Sequence, residues 1–409
     1  MTAVPDRAGD LRARLARFPV SRYPVQHATT QFHLGAGRLA AGDTTGALDA
    51  LTVARAVFGE TGMRLEEAKA GTMLGIALRG AGRHDEAAAI LTAAADGFSA
   101  LGRPAEEGAA RHNLGLVLAD VGDRAGACAC WERAQRLFLE SGQLAQAAAA
   151  AREHGAALLT AGEPAAAVTL LDEAVGAAER ADDVVGLGAA ANVLGLAHLA
   201  LGDVPAATAA FRRALAASPR SVRPAEYAMV KANLALAAAR GGDAVRARLA
   251  ARQALAVPAA APPVRDQAAE VLAALPPADD DVIAVLDSES RDRWTPVLRE
   301  EVLRLVDASP GERDATVRTF LDGLIDRPAD AYALAESLLS VVLELPPRGY
   351  EGLVNAVVHG CAGRREPDEE RLRAVLASAM ARFAMPQWQR LAASLNAAAA
   401  ACGEPGGWR

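Results

Sequence analysis

Aromatic residues are scarce. They form 4% of a 409-residue chain that is 52% hydrophobic, so rings contribute little of the apolar content. Most of the excess is alanine, the best helix former and small enough to let helices approach closely. Runs rich in Val, Ile and Thr are almost absent, which excludes a sheet-built core and predicts an all-α chain. A basic excess is missing too. Lys+Arg 43 against Asp+Glu 50 gives a net charge of −7, which argues against a general nucleic-acid binder with its basic face. The local exception is Arg7, Arg12, Arg14, Arg17 and Arg22, expected to be a solvated end helix, with a phosphate-binding arm as the alternative. Cysteine is limited to Cys128, Cys130, Cys361 and Cys402, with no CxxC spacing, so each is expected as small apolar filler in a reduced compartment. His359 and Cys361, two apart on a helix, point in different directions and form no catalytic pair. The start lacks an apolar signal-peptide core, and no run of about 18 apolar residues is free of polar breaks. A soluble cytoplasmic protein with no membrane span is expected. Walker, HExxH and GxSxG signatures are missing. The Gly186-Leu-Gly188 stretch mimics a dinucleotide loop but follows no strand. No cofactor and no metal site are expected, and enzymatic activity has no positive support.

What is present is a frame that returns every forty residues without drift. Gly35, Gly75, Gly115, Gly155 and Gly195 share one phase, with Ala235 in sixth place. Gly42, Gly82, Gly122, Gly162, Gly202 and Gly242 share a second. Ala47 and Ala54, with their equivalents through Ala247 and Ala254, fill two more. A repeat this regular sets the architecture before any other reading. Six units are expected at 27–62, 63–102, 103–142, 143–182, 183–222 and 223–262. Each holds two helices. The first closes at the second-phase glycine, where a left-handed cap is easy. The second carries Ala47, Leu51 and Ala54, or their equivalents, on one face. The large residue of that face is Leu51, Leu91, Trp131, Leu171, Phe211 and finally Ala251. A glycine in mid-helix costs about 1 kcal/mol relative to alanine, a cost worth repeating only where two helices touch.

Residues 1–26 form a lead whose 7–18 stretch matches the second helix of a truncated repeat. Residues 263–275 (VRDQAAEVLAAL from Val264) read as a capping helix, because an array must close its last apolar face. Pro276, Pro277 and the acids to Asp281 open a linker over 276–289. The remainder, 290–404, leaves the frame but still reads as helices, near 291–307, from a capping box at Ser309-Pro310-Gly311-Glu312, then 329–344, 348–362, 367–383 and 386–402. It is expected as a compact helical domain or a run of degenerate hairpins. Its Trp294, Tyr350 and Trp388 are expected in the core.

Leu34-Gly35, Leu74-Gly75, Leu114-Gly115 and Leu194-Gly195, the turn glycines and the paired alanines together resemble the tetratricopeptide repeat, TPR. His154-Gly155 and Leu234-Ala235 depart from it, and the family's first-helix tryptophan is missing. Forty residues exceeds the common 34 and resembles the long-helix subclass of kinesin light chains and bacterial peptide sensors. The resemblance covers about 7–262. It implies a right-handed superhelical TPR solenoid of six helix-turn-helix repeats, followed by the C-terminal helical domain.

It also implies a concave groove lined by the first helices. Transferred by position, groove residues include Lys69, His112, Asn113, Arg152, Glu153, Asn192, Asn233 and Arg240, with Arg79 beside them. The amides of Asn113, Asn192 and Asn233 could pair with a peptide backbone, and the cations with a carboxylate. His33 joins the same wall. His112 and Glu153 stand on adjacent units and could meet. His154 and His198 replace apolar repeat residues and are expected as hydrogen-bonded core groups, with the lining of a local polar pocket as the alternative. The expected function is a non-catalytic scaffold or adaptor holding a protein or peptide segment. A ligand-responsive peptide-sensing regulator is the alternative, and an enzyme or accessory subunit with a pocket at the junction near 276–300 is the second alternative.

Overall fold

Alanine-rich helices need a device that lets them touch, and the repeat supplies it. The computed structural model describes residues 7–276, 281–364, 366–404 and 407–408. They fall into two compact units, 1–217 and 218–409.

In the first unit α1 (Arg7–Arg17) is followed by α2 (Pro24–Ala40), α3 (Thr44–Glu60), α4 (Arg64–Gly80), α5 (His84–Ala100), α6 (Pro104–Asp120), α7 (Arg124–Glu140), α8 (Leu144–Thr160), α9 (Pro164–Arg180), α10 (Val184–Ala200) and α11 (Val204–Ala217). Each helix from α2 to α10 has 17 residues. Starts at 24, 44, 64 and 84 show that the backbone repeats at half the sequence period. The expected turn glycines are left-handed, for example Gly82 at φ 73° and Gly122 at φ 86°. A second set, Gly62, Gly102 and Gly142, does the same after the second helices, and Asp182 at φ 51° stands where the next would be. Asp43, Asp123 and Asp183 then cap the following helix by accepting from the backbone N–H three residues on.

Consecutive helices pack as hairpins with one recurrent contact. A Cβ added to Gly115 would stand 2.5 Å from Trp131 Nε1, and one on Gly35 or Gly155 would stand 2.6 Å from the Cγ of Leu51 or Leu171. Leu91 and Phe211 press as closely on Gly75 and Gly195. Each glycine is therefore a socket for the large side chain of the next helix. Leu51, Leu91, Leu171 and Phe211 are all fully buried in theirs.

The second unit starts with the sixth repeat, α12 (Pro224–Arg240) and α13 (Ala244–Leu255), then α14 (Pro262–Ala273), α15 (Asp281–Ser288), α16 (Arg291–Asp307), α17 (Pro310–Asp326), α18 (Ala331–Leu343), α19 (Pro347–Cys361), α20 (Glu366–Met380) and α21 (Met385–Cys402). Here socket and plug are both alanine, since Ala235 and Ala251 are each fully buried. Beyond α15, α16 and α20 pack on α18, and α17 and α21 pack on α19, giving two layers around a core that includes Trp294, Leu321, Leu334 and Leu353. Trp294 and Tyr350 are buried as expected, and Trp388 packs at the edge of the same core. The expected linker 276–289 needs correction. Residues 277–280 lie outside the described residues, but 281–288 form α15, whose Val282, Ile283, Val285 and Leu286 are core residues. The prolines and acids just before it masked a short apolar helix. The capping box at Ser309 is half formed. Ser309 Oγ accepts from Glu312 N–H, while the Glu312 carboxylate turns to Arg304.

Candidate functional site

In the first unit the expected groove positions lie on the first helix of each hairpin, α2, α4, α6, α8 and α10. Of these, α2 touches α4, α4 touches α6, and α8 touches α10. Lys69 on α4 is half-buried, and its charge adds to that of Arg103, the main cause holding the Glu106 carboxyl below its usual range. Arg79 on α4 crosses to Asp120 on α6, Nε to Oδ2 at 2.5 Å. His112 and Asn113 follow on α6, both half-buried. Asn113 Nδ2 donates to Ala109 O of its own helix at 2.8 Å. His112 lends its carbonyl to Trp131 Nε1, at 3.2 Å, while its own Nδ1 is buried with no hydrogen-bond partner. Burial first, then the charges of Arg152 and Arg79, lower the His112 pKa to about 4. The ring is therefore neutral at pH 7 and holds one N–H and one lone pair. On α8, Arg152 pairs with Glu153 at 2.5 Å. Glu153 thus meets its neighbour, and the unpartnered Nδ1 of His112 receives nothing from it.

Two expected groove amides are buried instead. Asn192 on α10 and Asn233 on α12 are each 5% exposed, and Asn233 Oδ1 accepts from Gln267 Nε2 at 3.0 Å. Positional transfer placed them on the inner wall, but their helices are packed over at that point. Arg240 is exposed at the end of α12. His33 is exposed and lines a cleft of about 840 Å³ between α1 and α2, with Arg14 and Arg17. His154 keeps a buried, unpartnered Nδ1, and burial lowers its pKa. It is not the hydrogen-bonded core group expected.

No family model matches the sequence, and no curated protein matches it. Solved structures do. The apo form of the quorum sensor NprR from B. thuringiensis aligns at 11% identity over 81% of this chain and 91% of that one, with a TM-score of 0.49. A putative kinesin light chain with nearly identical TPR-like repeats, from Podosopora anserina, aligns at 18% identity over 46% of this chain and 93% of that one, TM-score 0.41. A Rap protein complexed with competence and sporulation factor aligns at 16% over 64% and 70%, TM-score 0.43. All three TM-scores stay below one half, so the repeat of paired 17-residue helices rests on its own geometry.

The forty-residue frame also brings forward residues outside the expected groove positions. Lys231 stands where earlier copies carry Gln31, Gly71, Arg111, Ala151 and Ala191, and it is 7% exposed. Tyr227, one turn before it, donates from Oη to Glu300 Oε2 of α16 at 2.5 Å, with Lys231 Nζ 3.5 Å from the same oxygen. Burial, then Glu300, pushes the Tyr227 phenol well up, and burial pulls the Lys231 amine down. Next door, Glu301 accepts from Gln253 Nε2 at 3.2 Å and from Arg304 Nε and Nη2 at 2.9 and 2.7 Å. A cavity of about 290 Å³ lies beside this clamp, lined by Arg252, Glu301, Arg304, Glu312, Thr316 and Thr319. Its carboxylates and guanidinium neutralise one another, so it presents no uncommitted base at Glu301. The sequence signal was weak, because Lys231 follows Ala151 and Ala191 but Arg111 already puts a cation at that repeat position. Among the described residues no group of three could hold a metal, and no helix is long and apolar enough to cross a membrane.

Proposed function

We propose that the inner face of the first unit binds an extended protein or peptide segment, read chiefly through main-chain amides at His112 and Asn113. The observation that carries this reading is His112 Nδ1, a buried hydrogen-bonding atom with no partner on a face of half-exposed polar groups. A buried polar atom left unpaired costs about 1–3 kcal/mol, and a ligand that satisfies it recovers that cost. A neutral imidazole suits a peptide amide, which offers both a donor and an acceptor. Arg79 and Arg152, already paired with carboxylates, set register and hold one side chain of the ligand at most.

Panning a random linear-peptide display library on the full chain tests the reading. Selected peptides should bind the wild type and lose at least tenfold in affinity to His112→Ala with Asn113→Ala, with helical circular dichroism unchanged. Unaltered affinity in that variant, or a failure to select any peptide, would remove this face from the function.

A further inference from the structure

In the second unit α19 packs between α17 and α21. A Cβ on Gly360 of α19 would stand 2.7 Å from Leu321 Cδ1 of α17, so glycine there permits the close approach. The packing joins three residues far apart in sequence. Asp314 Oδ2 lies 3.0 Å from His359 Nδ1, and His359 Nε2 lies 3.1 Å from Cys402 Sγ. An ionised carboxylate only accepts, so Nδ1 carries the proton and Nε2 turns its lone pair to the thiol. Carboxylate, imidazole and nucleophile in this order form the arrangement in which an oriented base lifts a proton. The two outer groups meet opposite edges of the ring and do not converge on one point, which fits a proton relay and not a chelate. Arg318 of α17 braces the site by donating to His359 O at 3.0 Å, and Arg364 donates to Arg318 O and pairs with Asp322.

Access differs sharply between the two cysteines of this unit. Cys402 is exposed, whereas Cys361 is 1% exposed and burial pushes its thiol up to about 12. The surroundings also select the chemistry. Acyl transfer needs donors aimed at a developing oxyanion. The N–H groups after Cys402 are already used, Gly403 on Ala400 O at 3.3 Å and Glu404 on Ala399 O at 2.9 Å. Disulfide exchange needs no such hole, because the displaced sulfur carries the charge itself.

We propose that Cys402 is a thiol–disulfide exchange site, with His359 as its base and Asp314 as the positioning residue, for small disulfides of the glutathione class. His359 Nε2 takes the thiol proton, and the Cys402 thiolate attacks one sulfur of R–S–S–R. The reagent's S–S bond breaks, a Cys402–S–S–R bond forms, and the departing RS⁻ takes the proton from His359. One disulfide replaces another, so no external oxidant enters. The buried Cys361 does not resolve the adduct, which persists until an external thiol reverses it.

The test exposes the full chain to oxidised glutathione and locates the adduct by peptide mass spectrometry. Cys402 should be modified first, and His359→Gln should slow it at least tenfold at pH 7. Asp314→Asn should enlarge the ratio of the rate at pH 8 to that at pH 6, which a purely structural role would leave alone. Silence of Cys361 in each variant reports that the fold is intact. The assignment fails if His359→Gln reacts within twofold of the wild type, or if Cys128 or Cys130 takes the adduct before Cys402.

Discussion

A methyl group at residue 115 meets the indole of Trp131, and one at residue 80 meets nothing within 4 Å. Gly115 lies inside α6 against a ring, whereas Gly80 ends α4 and faces open space. Gly115→Ala should lower stability by about 1–3 kcal/mol through overpacking, while Gly80→Ala should raise it by about 0.4–1 kcal/mol through the unfolded chain. Urea unfolding of the pair checks both signs. This socket was legible in the sequence, because Gly115 and Trp131 recur in register with Gly35 and Leu51. The fate of single polar residues was not. Asn113 and Asn233 occupy the same repeat position, yet one is half-buried and bonded to its own helix while the other is covered and bonded to Gln267. What lies over a position depends on the neighbouring helix, which the frame does not specify.

In the second unit a buried ion pair stands beside the apolar core. Arg304 and Glu301 are 4% and 3% exposed, so neither can fall back on solvent. Arg304→Met should cost about 3–5 kcal/mol by stranding Glu301, and adding Glu301→Gln should recover part of it. Thermal or urea unfolding of the single and double variants measures that recovery, and a loss under 1 kcal/mol would show the pair to be dispensable. The helices themselves were readable, α16 to the residue, because proline and polar clusters punctuate them. α15 was not, since eight residues are too few to show a helical period. The relay at His359 escaped for a different reason. Cys361, two residues away, points elsewhere, and the thiol beside the ring is Cys402, 43 residues away.

For the chain as a whole, His112 gives acid stability a definite sign. Its pKa is 6.5 when unperturbed and about 4 in the fold, so the unfolded chain binds the proton first as pH falls. Stability is complete above about 6.5 and declines toward 4. Urea midpoints at pH 7, 5.5 and 4.5 should fall for the wild type and fall less for His112→Gln. Carboxylates such as Asp120, held low chiefly by Arg79, add their loss only at lower pH.

The alanine pair at 235 and 251 changes how the sixth hairpin responds to heat. Hydrophobic burial, which seats Leu51 or Phe211, weakens on cooling and levels off on warming. The desolvation cost of buried charge shrinks on warming. A hairpin that has lost its plug and leans on Tyr227, Lys231 and Glu300 therefore gains ground on its five apolar counterparts as temperature rises. The order in which hairpins open should depend on whether the protein is chilled or heated.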